Sequence, residues 1–562
     1  MTRTSRSPIF FEARDCVTAI FTGDLRLIAQ KDFIPNLAGA LPLALMHIAK
    51  AYQGDIHEGD IFVHNDAYAG GNHLPDTNIA KPIFHKGKLV FWAITKGHLA
   101  EIGGRGIAGY DPSARTIWDD GLVIPTCKLY DGGKYNRSVW DLIGRNSKVP
   151  ELVLGDIACE VGAVTLAERR LSELVERYGV ETLHAAIDEI ISATEKETRE
   201  RIKLIPDGVY YGEKSIDHDA INRDKPVTVR VKITKQGDEI TVDYSDSEAQ
   251  VPGYVNSTWA NTYSITYLPI FYILPGGNVK RNEGSLRPIK IIAPEGTWLN
   301  PRFPAPVTLC TVATSQCIAE AIWLALSQAG RQYTVAAHAK LLQDCVLGYN
   351  PLTKRMFAGL DFSSNTLGGG GREGYDGWPA EGSSSSLGQV RYPDFEMMEL
   401  TWPIRYLQHE QIMDSESAGQ YIGSWAHIYK LQYLADCSAV LMGHGMRDFS
   451  SPFGLFGGAG AKPSRFTIHR ENGEVQDIDC SSSFEYKTGD WKEAYIQEGG
   501  GFGDPCERAP ELVQKNIRDE LVSIERAKKV YGVVIDAATL KVDFEATKEL
   551  REEHSRKEGH LP

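Results

Sequence analysis

The chain has 562 residues, 42% hydrophobic and 24% charged, with 54 glycines and a formal net charge of -14. That length exceeds what one core supports, so three or so lobes are expected, and the acidic balance argues against a general nucleic-acid binder. No run approaches the ~18 apolar residues of a membrane span, MTRTSRSPIFFEARD lacks the apolar core of a signal peptide, and nine scattered cysteines without C-x2-C read as reduced thiols of a cytoplasmic protein rather than metal ligands.

In chain order, residues 13–30 form a hairpin that turns at Thr22-Gly23-Asp24, with Asp15 opening its first strand. Ala38 to Ala51 is an apolar helix striped by Leu41, Leu45 and Ile48. Gly59 to His64 is a strand that delivers Asn65 and Asp66 to its end. Ile79 to Phe84 and Leu89 to Thr95 flank a turn at His85 to Lys88 and read as a second hairpin. Arg105 to Gly133 lacks helical periodicity. It could wall a pocket where Arg105 and Arg115 meet an anion, although a surface role is the commoner reading for either arginine, and it holds a strand at Leu122 to Ile124 closed by Pro125.

Residues 137–205 are helical, broken at Tyr178-Gly179-Val180. From Gly208 the period becomes two, giving strands at Val209 to Tyr211, Val227 to Ile233 and Ile240 to Tyr244. Val255 to Ile273 reads as a buried helix, Leu286 to Ala293 as a strand and Thr311 to Ala329 as an apolar helix. The last third carries glycine-rich runs at 368–386, 454–464 and 498–508. None is G-x4-G-K-[ST], so loops lining a pocket or partner fit better than a phosphate cradle. Pro510 to Lys529 reads as one amphipathic helix and 541–562 as a solvated, charged tail. The fold class is α+β and multi-lobed: a mixed α/β metal-binding lobe (1–136), a helical segment (137–206), an α/β lobe (207–340), a glycine-rich, β-rich lobe (341–540) and the tail.

The stretch from Asn65 to Gly104 carries the chemistry. His73, Asp76 and His98 are spaced H-x2-D-x21-H. An imidazole and a carboxylate three residues apart can meet on one tight turn, and the hairpin can return the second imidazole to the same point. Imidazole with carboxylate suits Zn2+, Mn2+ or Fe2+. Asn65, Asp66 and Glu101 fall in the same glycine-rich loops, where sites are built.

Read together and in order, ARDCVTAIF, NDAYAGGNHLPD, GHLAEIGG, GLVIPTCKLYDGG, NEGSLRPIKIIAPEGTWLNP, TSQCIAEAI, GLFGGAGA and GGGFGDP resemble the hydantoinase B family over nearly the whole chain. That family includes the B component of ATP-dependent N-methylhydantoinases, the matching half of 5-oxoprolinase, caprolactamase, and subunits of acetone and acetophenone carboxylases. The resemblance implies a divalent metal, Zn2+ first with Mn2+ or Fe2+ as alternatives, held by Asp15, His73, Asp76 and His98. Two departures stand out: the family's tandem histidine is His98-Leu99 here, and its following aspartate is Glu101. The family's further helical stretch before the opening strand also looks short.

The resemblance further implies a hetero-oligomer with a hydantoinase A-type, actin-like ATPase subunit, where ATP phosphorylates a carbonyl oxygen of a small-molecule substrate. Asn65, Asp66 and Glu101 are then the catalytic candidates, orienting ligands or moving protons. The expected function is ATP-dependent opening of a hydantoin, 5-oxoproline or lactam ring, which the chain's length favours. The alternatives are an acetone/acetophenone-type carboxylase subunit and a non-catalytic scaffold. No membrane or nucleic-acid partner is expected.

Overall fold

The computed structural model describes every residue except 278, 366, 381, 388–390 and 559–562, so residue 381 of the first glycine-rich run and the end of the charged tail lie outside the described residues. The N-terminal part is a seven-stranded sheet in the order β2-β1-β5-β4-β3-β6-β7. Its strands are β1 (Cys16–Thr22), β2 (Leu27–Asp32), β3 (Ile61–His64), β4 (Asp76–His85), β5 (Lys88–His98), β6 (Cys127–Asp131) and β7 (Lys134–Tyr135). Alternation splits its apolar residues between two faces. Val17, Ala19, Phe21, Trp92 and Ile94 pack on the helix Leu41–Ala51 through Leu41, Leu45 and Ile48. Ile79, Ile83, Phe91 and Ala93 join the main core with Val153 and Ile157 of the helix Pro150–Tyr178. Helices on both sides explain why β5 is buried from Val90 to His98 rather than polar at every second residue.

The strand expected at Leu122 to Ile124 is not formed. Those residues are a loop held by Leu122 N–H donating to Ile102 O (2.8 Å) and Ile124 N–H to Asn65 Oδ1 (2.6 Å). Pro125 has no N–H for a ladder, so the strand begins beyond it at Cys127. Arg105 and Arg115 take the surface positions that are the commoner reading for such arginines. Arg105 pairs with Asp111 at the surface (2.6 Å), and Arg115 is exposed.

The middle of the chain forms a four-stranded sheet, β11-β10-β9-β8, from β8 (Gly208–Ile216), β9 (Val227–Gln236), β10 (Glu239–Asp243) and β11 (Ile289–Ile292). The strand expected from Leu286 starts later, because Asn282 caps a short helix, Glu283–Leu286, ahead of it. The helix Thr314–Ser327 packs against β8, β9 and the helix Trp259–Ile273. Thr308–Ser327 is long and apolar enough on composition alone to cross a membrane (mean hydropathy 1.5), but 89% of that window is buried within the fold, as in a core helix.

Two further sheets follow. The first, β13-β12-β16-β19, uses β12 (Leu342–Asn350), β13 (Arg355–Leu360), β16 (Cys437–Gly443) and β19 (Ser482–Tyr486). The second, β14-β15-β20-β17-β18, uses β14 (Ile404–Gln411), β15 (His427–Tyr433), β17 (Arg465–His469), β18 (Val475–Asp477) and β20 (Trp491–Ile496). Between them Lys492 is buried against Asp344 and Asp361, and the Tyr433 and Tyr486 hydroxyls donate to Asp344 (2.9 and 2.8 Å).

The glycine-rich runs are loops that pack backbone on backbone, and Ser383, Ser385 and Ser386 of the first run line a cavity, as expected. A Cβ on Gly499 would lie 2.2 Å from Gly369 O, and one on Gly423 would lie 1.9 Å from Gly499 O. The helix expected over 510–529 is two, Pro510–Arg518 and Ile524–Tyr531, the second capped by Ser523. The tail is not simply solvated: Phe544–Glu558 is a helix whose Arg551 donates to Tyr531 O and Arg508 O (3.1 and 2.7 Å).

Candidate metal centre

The centre is a row across the ends of three adjacent strands. In the β4–β5 ladder Asp76 lies directly opposite His98. On the other side of β5, Cys16 pairs with Gly97, and His98 N–H donates to Asp15 O (3.1 Å). Asp15, His98 and Asp76 are thus lateral neighbours, although Asp15 is far away in sequence. The register depends on one β-bulge between Ile83 and Phe84. The turn pairs His85 with Lys88, and the bulge advances the pairing by one residue. Without it Asp76 would face Gly97. Gly97 itself is obligatory: a Cβ there would sit 2.1 Å from the Phe10 ring.

His73 arrives from the turn before β4, where Asp76 N–H donates to His73 O (3.1 Å). Three donor atoms converge: His73 Nε2 to Asp76 Oδ1 is 3.1 Å, His98 Nδ1 to Asp76 Oδ1 is 3.2 Å, and His73 Nε2 to His98 Nδ1 is 3.2 Å. All three residues are buried. His73 Nδ1–H donates to Thr308 O (2.6 Å), which fixes the tautomer and leaves the Nε2 lone pair facing inward. Burial alone would depress His73, but the Asp76 carboxylate, by charge and hydrogen bond, raises it above its ordinary value; both imidazoles in turn hold Asp76 well below the carboxylate range despite burial. Burial pushes the Asp15 carboxyl up to about 6.

The donor set fits a divalent cation. Three lone pairs pointing at one another repel unless a positive charge lies between them, and separations of 3.1–3.2 Å suit ligand bonds of about 2.1 Å. Asp76 Oδ2 and His98 Nε2 are also buried without a protein partner. Asp15 lines the same cavity but is not part of this compact group.

The expected catalytic residues occupy other positions. Asn65 donates to Leu74 O and Leu122 O (2.8 and 3.0 Å) and accepts from Ile124 N–H, tying the His73 loop to the 122–124 segment. Asp66 caps the turn Ala67–Ala69 by accepting from Tyr68 N–H (2.9 Å). Glu101 is fully buried, accepts from Gly103 N–H and Lys148 N–H (both 2.7 Å), and pairs with the Lys148 ammonium (3.2 Å). None of the three lines the cavity. In these positions Asn65 and Glu101 hold the loops that carry His73 and follow His98.

The cavity holds about 60 Å³ beside His73, Asp76 and His98. Its far wall comes from the third sheet and the loop before β14: Leu341, Gln343, Leu360, Phe362, Met442 and the serines 383, 385 and 386. Tyr110 lies between the walls, fully buried, its ring 6.3 Å from that of His73 and 6.4 Å from that of His98. Burial keeps its phenol far above the ordinary value, so it stays protonated.

Residues 1–505 match the sequence profile of the family described as Hydantoinase B/oxoprolinase. The chain belongs to that family. The beta chain of the caprolactamase of Pseudomonas jessenii is 32% identical over 546 residues, covering 95% of this chain and 92% of that one. The B component of a putative D-/L-hydantoinase from Pseudomonas sp. (strain NS671) is 30% identical, covering 98% and 94%. The crystal structure of the ATP-dependent caprolactamase from Pseudomonas jessenii superposes with a TM-score of 0.88 at 30% identity, covering 98% of this chain and 95% of that chain.

Within this hydantoinase B fold, sequence reasoning missed Tyr110, Gln343, Asn36 and the serine run. Nothing local marks the first three. The serine run was visible as SSSS but had no reason to point inward until the third sheet brought it against the triad.

Proposed function

We propose that this chain is the metal-binding catalytic subunit of an ATP-dependent cyclic-amide hydrolase, opening a hydantoin, 5-oxoproline or lactam ring in a hetero-oligomer with an A-type ATPase subunit. The observation that carries this reading is the buried triangle of His73 Nε2, His98 Nδ1 and Asp76 Oδ1 in the wall of a cavity. Relatives named as subunits of caprolactamase and hydantoinase support the substrate class and the need for a partner. Two nitrogens and a carboxylate favour Zn2+, with Mn2+ or Fe2+ also accommodated.

In this proposal His73, Asp76 and His98 hold the cation, and Asp15 stands beside them as the fourth donor. A divalent cation there supplies Lewis acidity toward a carbonyl oxygen or a water. The partner spends ATP to phosphorylate the amide oxygen, which turns a poor electrophile into one with a leaving group. Tyr110 keeps its proton and donates it in a hydrogen bond to substrate oxygen. Asn65 and Glu101 keep the loops around the triad in register, and Leu341, Leu360, Phe362 and Met442 exclude bulk water.

The test is reconstitution of the metal-loaded chain with an A-type subunit, ATP and a panel of hydantoin, 5-oxoproline and caprolactam, with and without labelled bicarbonate. Ring-opened product and phosphate in equal amounts, independent of bicarbonate and abolished by His73→Ala, are expected. Incorporation of the label assigns carboxylation instead, and ring opening without ATP overturns the proposed division of labour.

A further inference from the structure

The wall facing the triad carries one polar side chain that the fold itself does not use. Gln343 sits on β12 between Leu341 and Cys345, and its register partner Met442 on β16 lines the same cavity. It is only 1% exposed. Its Oε1 is buried with no hydrogen-bond partner. Leu341, Leu360, Phe362 and Met442 surround it with apolar surface. A buried carboxamide oxygen left unpaired in such a wall is costly, and a ligand donor entering the cavity would relieve that cost.

A second acceptor faces the same space. Asn36 lines the cavity, and its Nδ2 is committed to Asn261 Oδ1 and Ser315 Oγ (3.1 and 3.0 Å). Those two bonds fix the orientation of the amide, so Asn36 Oδ1, which is buried and unpartnered, can only accept. The cavity therefore offers a carboxamide that both donates and accepts, a locked acceptor, and a cation-binding triad opposite.

We infer that Gln343 is a specificity-determining residue that reads the amide edge of a ring substrate, with Asn36 Oδ1 left to accept from a second N–H where the ring carries one. A ring forces its amide cis, so C=O and N–H lie on one edge. The carboxamide of Gln343 presents the complementary pair and makes two parallel hydrogen bonds. The carbonyl oxygen keeps a second lone pair for the triad side. A ketone or a lactone has no N–H, so binding it leaves Gln343 Oε1 unsatisfied. Sites built this way reject the analogue that lacks the hydrogen. This inference deepens the cyclic-amide reading above and rests on it for the choice of substrate.

The experiment is calorimetric binding to the zinc-loaded chain of three rings that differ at one position: 2-pyrrolidone, γ-butyrolactone and cyclopentanone. The wild type should bind the lactam roughly ten- to hundredfold more tightly than the lactone or the ketone. Gln343→Met, nearly isosteric, should bring the three affinities together while zinc content and Tm hold. The wild-type comparison stands even if the variant misfolds. Equal affinities in the wild type, absence of lactam binding, or an unchanged preference in a folded Gln343→Met overturns the assignment. A Gln343-dependent lactam preference without ATP-driven ring opening keeps this inference and refutes the proposed hydrolase. Ring opening without that preference does the reverse.

Discussion

Removing two of the three converging donors tests the metal centre through folding free energy as well as through metal content. A ligand that binds only the folded chain adds RT ln(1 + [L]/Kd), about 2.7 kcal/mol at a free concentration of 100 Kd. Unfolding entropy of about 2.1 cal/mol/K per residue, over 562 residues, gives about 1.2 kcal/mol/K. The expected rise in Tm is therefore about 2 °C at 100 Kd and between about 3 and 4 °C at 1,000 Kd, where the gain is about 4.1 kcal/mol. The assay is calorimetric melting of the chelator-treated chain, titrated with Zn2+, Mn2+ and Fe2+, beside elemental analysis. His73→Ala combined with Asp76→Ala should lose the shift and the bound metal, because His98 alone keeps one inward donor. A wild-type chain that takes up none of the three metals, or a double variant that keeps the same metal and the same shift, refutes the centre.

Three further outcomes test the fold around it. Lys492→Met strands two buried carboxylates, Asp344 and Asp361, and should cost about 3–5 kcal/mol; adding Asp344→Asn and Asp361→Asn should recover most of that loss in denaturant melts. Gly97→Ala should cost about 1–3 kcal/mol, since its Cβ enters the Phe10 ring, and Phe10→Ala in the same chain should make the pair less damaging than the sum of the singles. Burial raises Glu498 from 4.5 to about 7. The folded chain therefore holds this proton more tightly than the unfolded one. The stabilisation is complete below about pH 4.5, declines as pH rises, and is gone above about 7, a change on the order of 3 kcal/mol. Glu498→Gln should flatten that slope in melts taken across the range, and an unchanged slope refutes the assignment.

Local signals announced much of this architecture. The turn at His85 to Lys88, the stripe of Leu41, Leu45 and Ile48, and the break at Gly179 each depend on residues close in sequence, and each appears in the fold. The pairing of His73 with Asp76 is also local, because it needs only one turn. Misread elements share a cause. The charges of 541–562 concealed a helix held by Arg551, and the apolar face of 510–529 gave no sign of the break before Ser523. Distant backbone fixes the tail helix through Arg551, and the cap at Ser523 starts the second helix after the break.

Residue types, their spacing and the order of motifs determined the family, the α+β class and the candidate ligands. The tertiary structure decided which ligands meet. Asp15 reaches the row only because β1 pairs with β5, and Asp76 faces His98 only because one bulge in β4–β5 shifts the register by a residue. Only the fold shows that Glu101 and Asn65 bind the backbone of the loops around the triad, with Glu101 also paired to Lys148. Gln343 and Tyr110 carry no local mark and come to face the triad from other strands and loops. The physical reason is that strand pairing and closing walls are long-range events, in which a one-residue slip turns a side chain to the opposite face.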